Sequence, residues 1–348
     1  MNHKGIKMNV LETMKCENTP GLSVAYFEKS FLEWTQCYGV TDKETLEEVS
    51  ENSMFHACSM TKMITALCLL MMHEKNMVNL FNNVNQYLKS WQFPDNEFTL
   101  DKPVTIADLL AHQGGVIDSS GSFEPVSKGI RPENIDILLG KTPYNTKEVQ
   151  ASYVPQSKFE YSDGGYAVLE MLIEDISGMK YVDYVEAHIF KPLGLEHTFL
   201  WTDALLQDSC VVGHDSKGMA VPKKRAVYPN LAGAGLWTTP KEFSTIVLDL
   251  LKAHTKDEGV LLNKKTTNLM FKPYGCVDFA GLGVFLGVDD KKPYFISQGW
   301  GVGMQCKVIA YLNEQRGAVV MMNSEPGKDQ SQSIVGMVLR DMLGITCQ

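Results

Sequence analysis

The sequence contains no apolar run of the roughly 20 residues that a membrane-spanning helix needs. Its opening, MNHKGIKMNVLETMKCENTPG, also lacks the apolar core of a secretory leader, so the expectation is a cytoplasmic protein without a membrane span. Basic clusters are missing as well. Lys plus Arg is 32 against 41 for Asp plus Glu, a formal net charge of -9, and no nucleic-acid module is present. A polyanionic partner is therefore not expected. Eight cysteines are scattered with no CxxC pair, which reads as reduced thiols rather than a disulfide framework or a zinc site. The histidines form no HExxH, and His73-Glu74 has no second histidine four residues after the first, so no metal site is expected. Gly281-Leu282-Gly283 does not fit a nucleotide fingerprint. No cofactor is implied, and neither internal repeats nor low-complexity tracts occur.

What remains is ordinary globular material, 44% hydrophobic and 21% charged. Gly21–Lys29 and Phe31–Gly39 are β-rich runs almost in contact and read as a hairpin. From Ser59 to about Asn76, Met63, Ile64, Leu67, Leu70 and Met71 recur at helical spacing, predicting a buried helix that begins at or just before Ser59. Val104–Ala111, Gly165–Ile176 and Glu242–Ala253 also read as helices. Gly281–Val288, Gln305–Leu312 and Ala318–Met322 read as strands, and a last amphipathic helix is expected over about Gln330–Leu343. Strands at both ends with helices between them predict an α/β (α+β) unit over 1–348, with an α/β part from about 1–75 and 226–348 and a helical insert over about 76–225.

Three segments carry chemistry. Ser59-Met60-Thr61-Lys62 fits S-x-x-K, which on a helix sets the lysine amine against the serine hydroxyl. A serine hydroxyl needs an adjacent base, and a lysine kept partly neutral by burial can serve. The competing reading is a lysine that snorkels to solvent, and spacing alone leaves both open. Tyr161-Ser162-Asp163-Gly164-Gly165 offers a tyrosine for proton transfer, or simply a helix start capped by Ser162 and Asp163. Gly299-Trp300-Gly301-Val302-Gly303 marks a bulge or a close backbone approach to a ligand. His112 reads as a structural turn residue, and His214-Asp215 as surface loop with cleft lining as the alternative.

In their order and separation these segments resemble the class C β-lactamases, DD-peptidases and related esterases. Thr19–Ala25 (TPGLSVA), Met54–Lys62 (MFHACSMTK), Leu109–Gly115 (LLAHQGG), Phe190–Gly194 (FKPLG) and Ala232–Pro240 (AGAGLWTTP) resemble the same family, from about residue 19 to the final helix. The resemblance implies the β-lactamase/DD-peptidase-like fold, an antiparallel sheet flanked by helices plus a mostly helical subdomain. It also implies Ser59 as acylated nucleophile, Lys62 as its base and Tyr161 as a partner in proton transfer. The backbone N–H groups of Ser59 and Trp300 would form the oxyanion hole, and Asp163, Ser297, Gln298 and Gly299 would contact substrate. S-x-x-K and K-T-G are signatures of related enzymes.

The chain departs from that pattern twice. Ser297 stands where the family has Lys or His, and a neutral hydroxyl cannot form a charge-assisted bond to a substrate carboxylate. Asp163 stands where the family often has Asn, and an ionised Asp accepts but does not donate; it can hold Lys62 protonated and shift the base role toward Tyr161. The expectation is a serine hydrolase working through an acyl-enzyme on a small ester or amide. A true β-lactamase or DD-peptidase, a biosynthetic acyltransferase and a catalytically impaired binding protein are the alternatives. The loops at about 116–158 and 200–230 are expected to shape the pocket. Oligomeric state is not encoded in any readable pattern.

Overall fold

In the computed structural model, which describes residues 5–126, 131–201 and 209–345, the two ends of the chain share one sheet. Its strands are β1 (Gly21–Glu28), β2 (Phe31–Gly39), β3 (Phe55–His56), β4 (Phe199–Leu200), β5 (Leu236–Thr238), β6 (Phe285–Asp289), β7 (Lys292–Gly301), β8 (Met304–Tyr311) and β9 (Arg316–Met322). Six of them form an antiparallel sheet in the order β2-β1-β9-β8-β7-β6, and β3-β5-β4 make a small second sheet. The hairpin of β1 and β2 and the strands β8 and β9 lie close to where their alternation predicts. The fold is thus α/β, an antiparallel sheet flanked by helices.

Each face of the large sheet has its own apolar core. On one face, buried residues of the Thr61–Glu74 and Pro240–Lys256 helices pack with Phe27, Phe295, Val308 and Met321. On the other, Val335, Val338, Leu339 and Met342 of the Ile334–Leu343 helix cover Val24, Ile309 and Val320, with Val10 and Met14 of the Val10–Cys16 helix beside them. The Thr61–Glu74 helix is buried on every side from Thr61 to Met72, as a helix apolar all round must be. That makes Lys62 a charged residue inside the protein rather than a snorkelling one.

Several boundaries differ from the sequence reading. The strand expected from Gly281 starts only at Phe285, because Gly281 closes a turn by donating to the Val284 carbonyl and Gly283 takes φ +78. A Cβ on Gly283 would stand 2.4 Å from Ala66, so this turn is wedged against the Lys62 helix. The last helix begins at Ile334, since Gln330 instead donates to the carbonyls of Gly299 and Cys306. β7, which carries the third motif, was absent from the expected strands. His214 is fully buried with its Nδ1 on the Asn323 carbonyl, which corrects its assignment to the surface; Asp215 is exposed. Of the cysteines, Cys58, Cys68, Cys210 and Cys306 are buried, Cys37 is half-buried, Cys16 and Cys276 are exposed, and Cys347 lies outside the described residues.

Candidate active site

Ser59 sits in a single 3-10 turn, Cys58–Met60, that runs straight into the Thr61–Glu74 helix. The residue before it, Cys58, has φ +47, a left-handed conformation that costs a non-glycine residue about 1–2 kcal/mol. Two bonds hold the bend. Thr61 donates its hydroxyl to the Cys58 carbonyl at 2.6 Å, and the Ala57 N–H reaches the Leu236 carbonyl at 2.8 Å.

Lys62 lies one turn below. Its Nζ is 3.2 Å from Ser59 Oγ, 3.0 Å from the Gly233 carbonyl and 2.5 Å from Asp163 Oδ1. Three acceptors meet the three protons of an ammonium, so the buried charge is fully satisfied. Burial disfavours that charge, but the Asp163 carboxylate and the Tyr161 phenol outweigh it and raise the Lys62 pKa above its ordinary value.

Tyr161 and Asp163 flank Ser162, the N-cap of the helix Asp163–Ser177. Ser162 Oγ accepts from the Gly165 N–H, as a cap should. Asp118 reinforces the same helix start, taking bonds from Ser162 Oγ, Asp163 N–H and Gly164 N–H at 2.8, 2.7 and 2.9 Å. The His112 ring stacks on Tyr161 at 4.2 Å between centroids, and its Nδ1 accepts the Ser162 N–H at 3.1 Å. That bond places the imidazole proton on Nε2. Burial and the nearby Lys62 charge drive the His112 pKa well below normal, so the ring is neutral. The Tyr161 phenol, facing Lys62 and Ser59, is raised by burial while Lys62 pulls it down and Asp163 pushes it up. The Asn230 side chain ties the Asp163 carbonyl to the turn that supplies the Gly233 carbonyl.

β7 forms the opposite wall. β6 pairs with it only as far as Ile296, so from Ser297 onward one edge of β7 has no strand neighbour. A Cβ on Gly299 would fall 2.1 Å from the Ala57 carbonyl oxygen, so only glycine allows the strand to lie against the nucleophile turn. Strand alternation sends Ser297 and Gly299 toward that turn. It sends Gln298 to the other face, beside Tyr294 and Ile296, so Gln298 presents its backbone to the cleft. Ser297 is buried within the cleft lining, and Trp300 is 45% exposed with its Nε1–H on Glu325 Oε1 at 2.9 Å.

The cleft has two lobes that meet at Ser59. Lys62, His112, Phe159, Tyr161, Phe285 and Ser297 line the first. Phe123, Asp163, Tyr228, Trp300, Val302 and Glu325 line the second. Of the loops expected to shape the pocket, Phe123 and Tyr228 are in it, with Phe159 just beyond the first loop, while residues 127–130 and 202–208 lie outside the described residues.

Sequence reasoning missed a polar cluster directly under the nucleophile. His56 donates from Nε2 to the Ala234 carbonyl at 2.6 Å, which leaves Nδ1 to accept from the Cys58 thiol at 3.3 Å. The imidazole is stacked between Tyr228 and Trp237. Burial opposes a thiolate, yet Cys306 and His56 outweigh it and lower the Cys58 pKa. Also missed were Asp118, Asn230 and the Arg131–Glu170 pair behind the Gly233 turn, where Glu170 accepts the Ala232 N–H. None has a local signature, since each acts on a partner distant in sequence. Among the described residues no group of three potential metal ligands occurs, and no helix is long and apolar enough to cross a membrane.

Comparison with known proteins bears on the family and the fold. The chain is 25% identical over 258 residues to the teichoic acid D-alanine hydrolase of Staphylococcus aureus, a match covering 73% of this chain and 58% of that protein. It therefore spans little more than half the length of the curated relatives it matches. Among solved structures, the D-amino acid amidase of Ochrobactrum anthropi superposes with a TM-score of 0.78 at 20% identity, covering 96% of this chain and 95% of that one. An octameric penicillin-binding protein homologue from Pyrococcus abyssi superposes with a TM-score of 0.79 at 16% identity, over 97% of this chain and 76% of that one. Both likenesses are of fold. The β-lactamase family model matches residues 8–335, and the chain belongs to the β-lactamase family.

Proposed function

We propose that the protein is a serine hydrolase that forms an acyl-enzyme at Ser59 with a small ester or amide. The observation that carries this reading is Lys62 Nζ at 3.2 Å from Ser59 Oγ, inside a cleft that Tyr161 also faces. In the first step Ser59 Oγ attacks the substrate carbonyl and gives up its proton to the Lys62–Tyr161–Asp163 group. The oxyanion forms against the Ser59 and Trp300 N–H groups, a placement supported by the unpaired edge of β7 beyond Ile296. Proton return through Tyr161 and Lys62 releases the leaving group, and water then cleaves the ester to Ser59. Because Lys62 is held charged by Asp163, the nucleophile is activated only when that group loses a proton.

Relatives named for D-alanine and D-amino acid chemistry support an ester or amide substrate. Neutral Ser297 counts against efficient turnover of anionic β-lactams. The chain is read as a single catalytic unit with a helical insert between the two ends of its sheet. Cys58, Cys68 and Cys306, buried as free thiols, support a reducing and hence cytoplasmic setting.

The test is intact-protein mass spectrometry after incubation with a fluorophosphonate, comparing wild type with Ser59→Ala. One adduct on wild type and none on the variant is expected. No adduct on folded wild-type protein would make a non-catalytic binding role the leading reading.

A further inference from the structure

The two lobes of the cleft are chemically unlike, and the difference bears on the substrate. A leaving group must receive its proton from Lys62 or Tyr161, and both line the first lobe. The leaving group therefore departs through that lobe, and the acyl portion occupies the second. The second lobe encloses about 180 Å³, space for a small acyl group, against about 20 Å³ in the first.

Its charges point one way. Asp163 is already paired with Lys62 at 2.5 Å. Burial raises the Tyr228 phenol to remain neutral, and its oxygen accepts the Val302 N–H at 2.8 Å. Glu325 is different. The indole N–H of Trp300 fixes one of its carboxylate oxygens at 2.9 Å, and among the described residues no cation forms an ion pair with it. Lys328, three residues away, is instead engaged by Glu17 at 2.7 Å. Trp300, Tyr228 and Phe123 line the same lobe as Glu325, and aromatic faces attract an ammonium. The first lobe offers no free cation either, since His112 is neutral and Ser297 carries no charge. Among the described residues a carboxylate on the substrate would find no free cation in this cleft, whereas an ammonium in the second lobe would meet Glu325.

Building on the hydrolase reading above, we infer that Glu325 recognises an ammonium group on the acyl half of the substrate, so that the substrates are esters or amides of small amino acids. The carboxylate is a specificity residue and takes no part in bond breaking. Trp300 holds it in place through its side chain while its backbone borders the reacting carbonyl.

The experiment compares two phenyl esters that differ by one amine, alanine phenyl ester in both hands and propionic acid phenyl ester, at about pH 6.5, where the α-amine is charged. The readout is the ratio of kcat/KM for the amine-bearing over the neutral ester, in wild type and in Glu325→Gln. Glutamine keeps an acceptor for the Trp300 indole and removes only the charge. Wild type is expected to favour one hand of the alanine ester by at least about tenfold, and Glu325→Gln to lower that ratio by about tenfold, the size expected for a lost charge-assisted bond. A variant that merely folded poorly would lose both activities together and leave the ratio unchanged. A wild-type ratio near one, or a ratio that survives Glu325→Gln, would overturn the assignment. Fluorophosphonate labelling of Ser59 runs alongside: labelled enzyme without amine selectivity sinks this inference alone, and unlabelled enzyme sinks the hydrolase reading with it.

Discussion

Lys62 is held between opposed demands. Burial at 3% exposure favours the neutral amine a general base requires, yet Asp163 at 2.5 Å favours the ammonium, and the ammonium prevails. Replacing Asp163 by Asn removes one charge from this balance and should lower the Lys62 pKa, because burial then acts without its main opponent. The Tyr161 phenol should fall too, since Asp163 is one of the groups that raise it. Nucleophile activation needs the deprotonated form, so the pH at which fluorophosphonate labelling reaches half its maximal rate should move down in Asp163→Asn, by roughly one to three units. Labelling at about pH 7 should be faster than in wild type. A pH profile that moves up or stays in place would show that Asp163 does not control the base. The same substitution leaves a buried lysine without its partner, so a loss of stability is expected wherever Lys62 stays charged.

The helix Asp163–Ser177 matters to the site chiefly at its first turn. Ser162, Asp118 and His112 fix that turn, and Tyr161 and Asp163 follow from where they place it. His112 is kept neutral, by burial first and the Lys62 charge second, with a pKa well below that of a free imidazole. The sign of its effect on stability follows from linkage. Below about pH 6.5 the unfolded chain takes up a proton that the folded protein refuses, so this contribution is present above that pH and is lost as pH falls toward the folded-state value. The slope from one such group is at most about 1.4 kcal/mol per pH unit. Buried His214 acts in the same direction, so the informative quantity is a difference. Urea unfolding of wild type and His112→Gln at about pH 7 and pH 5 should show a smaller acid loss in the variant. Equal losses would mean that His112 is not the residue refusing the proton.

Elements of this kind also show what a sequence can and cannot reveal. The β1–β2 hairpin and the Ser59 helix were legible because alternation and helical spacing are local patterns, and His112 was legible as a turn residue, which its φ of +57 now explains. β3, β4 and β5 span two or three residues each, too short to show any period. The Val10–Cys16 helix is seven residues long and buries only Val10 and Met14, too little for a helical period to stand out. Asp118 acts 44 to 46 residues away on the tyrosine helix, and Glu325 reaches Trp300 across 25 residues, so neither leaves a mark in any window of sequence.

Over the whole molecule, the cleft lies where the two ends of the chain meet the middle. Ser59 and Lys62 come from the N-terminal part, Tyr161 and Asp163 from the middle, and β7 from the C-terminal part of the sheet. A net charge of -9 belongs to a chain whose cleft, among the described residues, holds one ammonium, Lys62, neutralised by Asp163. The net charge repels an anionic compound such as a penicillin at long range, and among the described residues no free cation in the cleft answers its carboxylate. Placing a titratable cation at the one position where this chain departs from the family's basic residue should relieve the second deficit alone. Ser297→His is expected to speed acylation by a penicillin by about tenfold or more at pH 6, as a charge-assisted bond to its carboxylate forms. The gain should shrink toward pH 8 as the imidazole loses its proton, because the pKa of an unperturbed histidine is about 6.5. Intact-mass acylation rates at the two pH values decide it. A gain that is equal at both would assign the effect to shape, and no gain would mean that the missing cation is not what keeps this cleft from β-lactams.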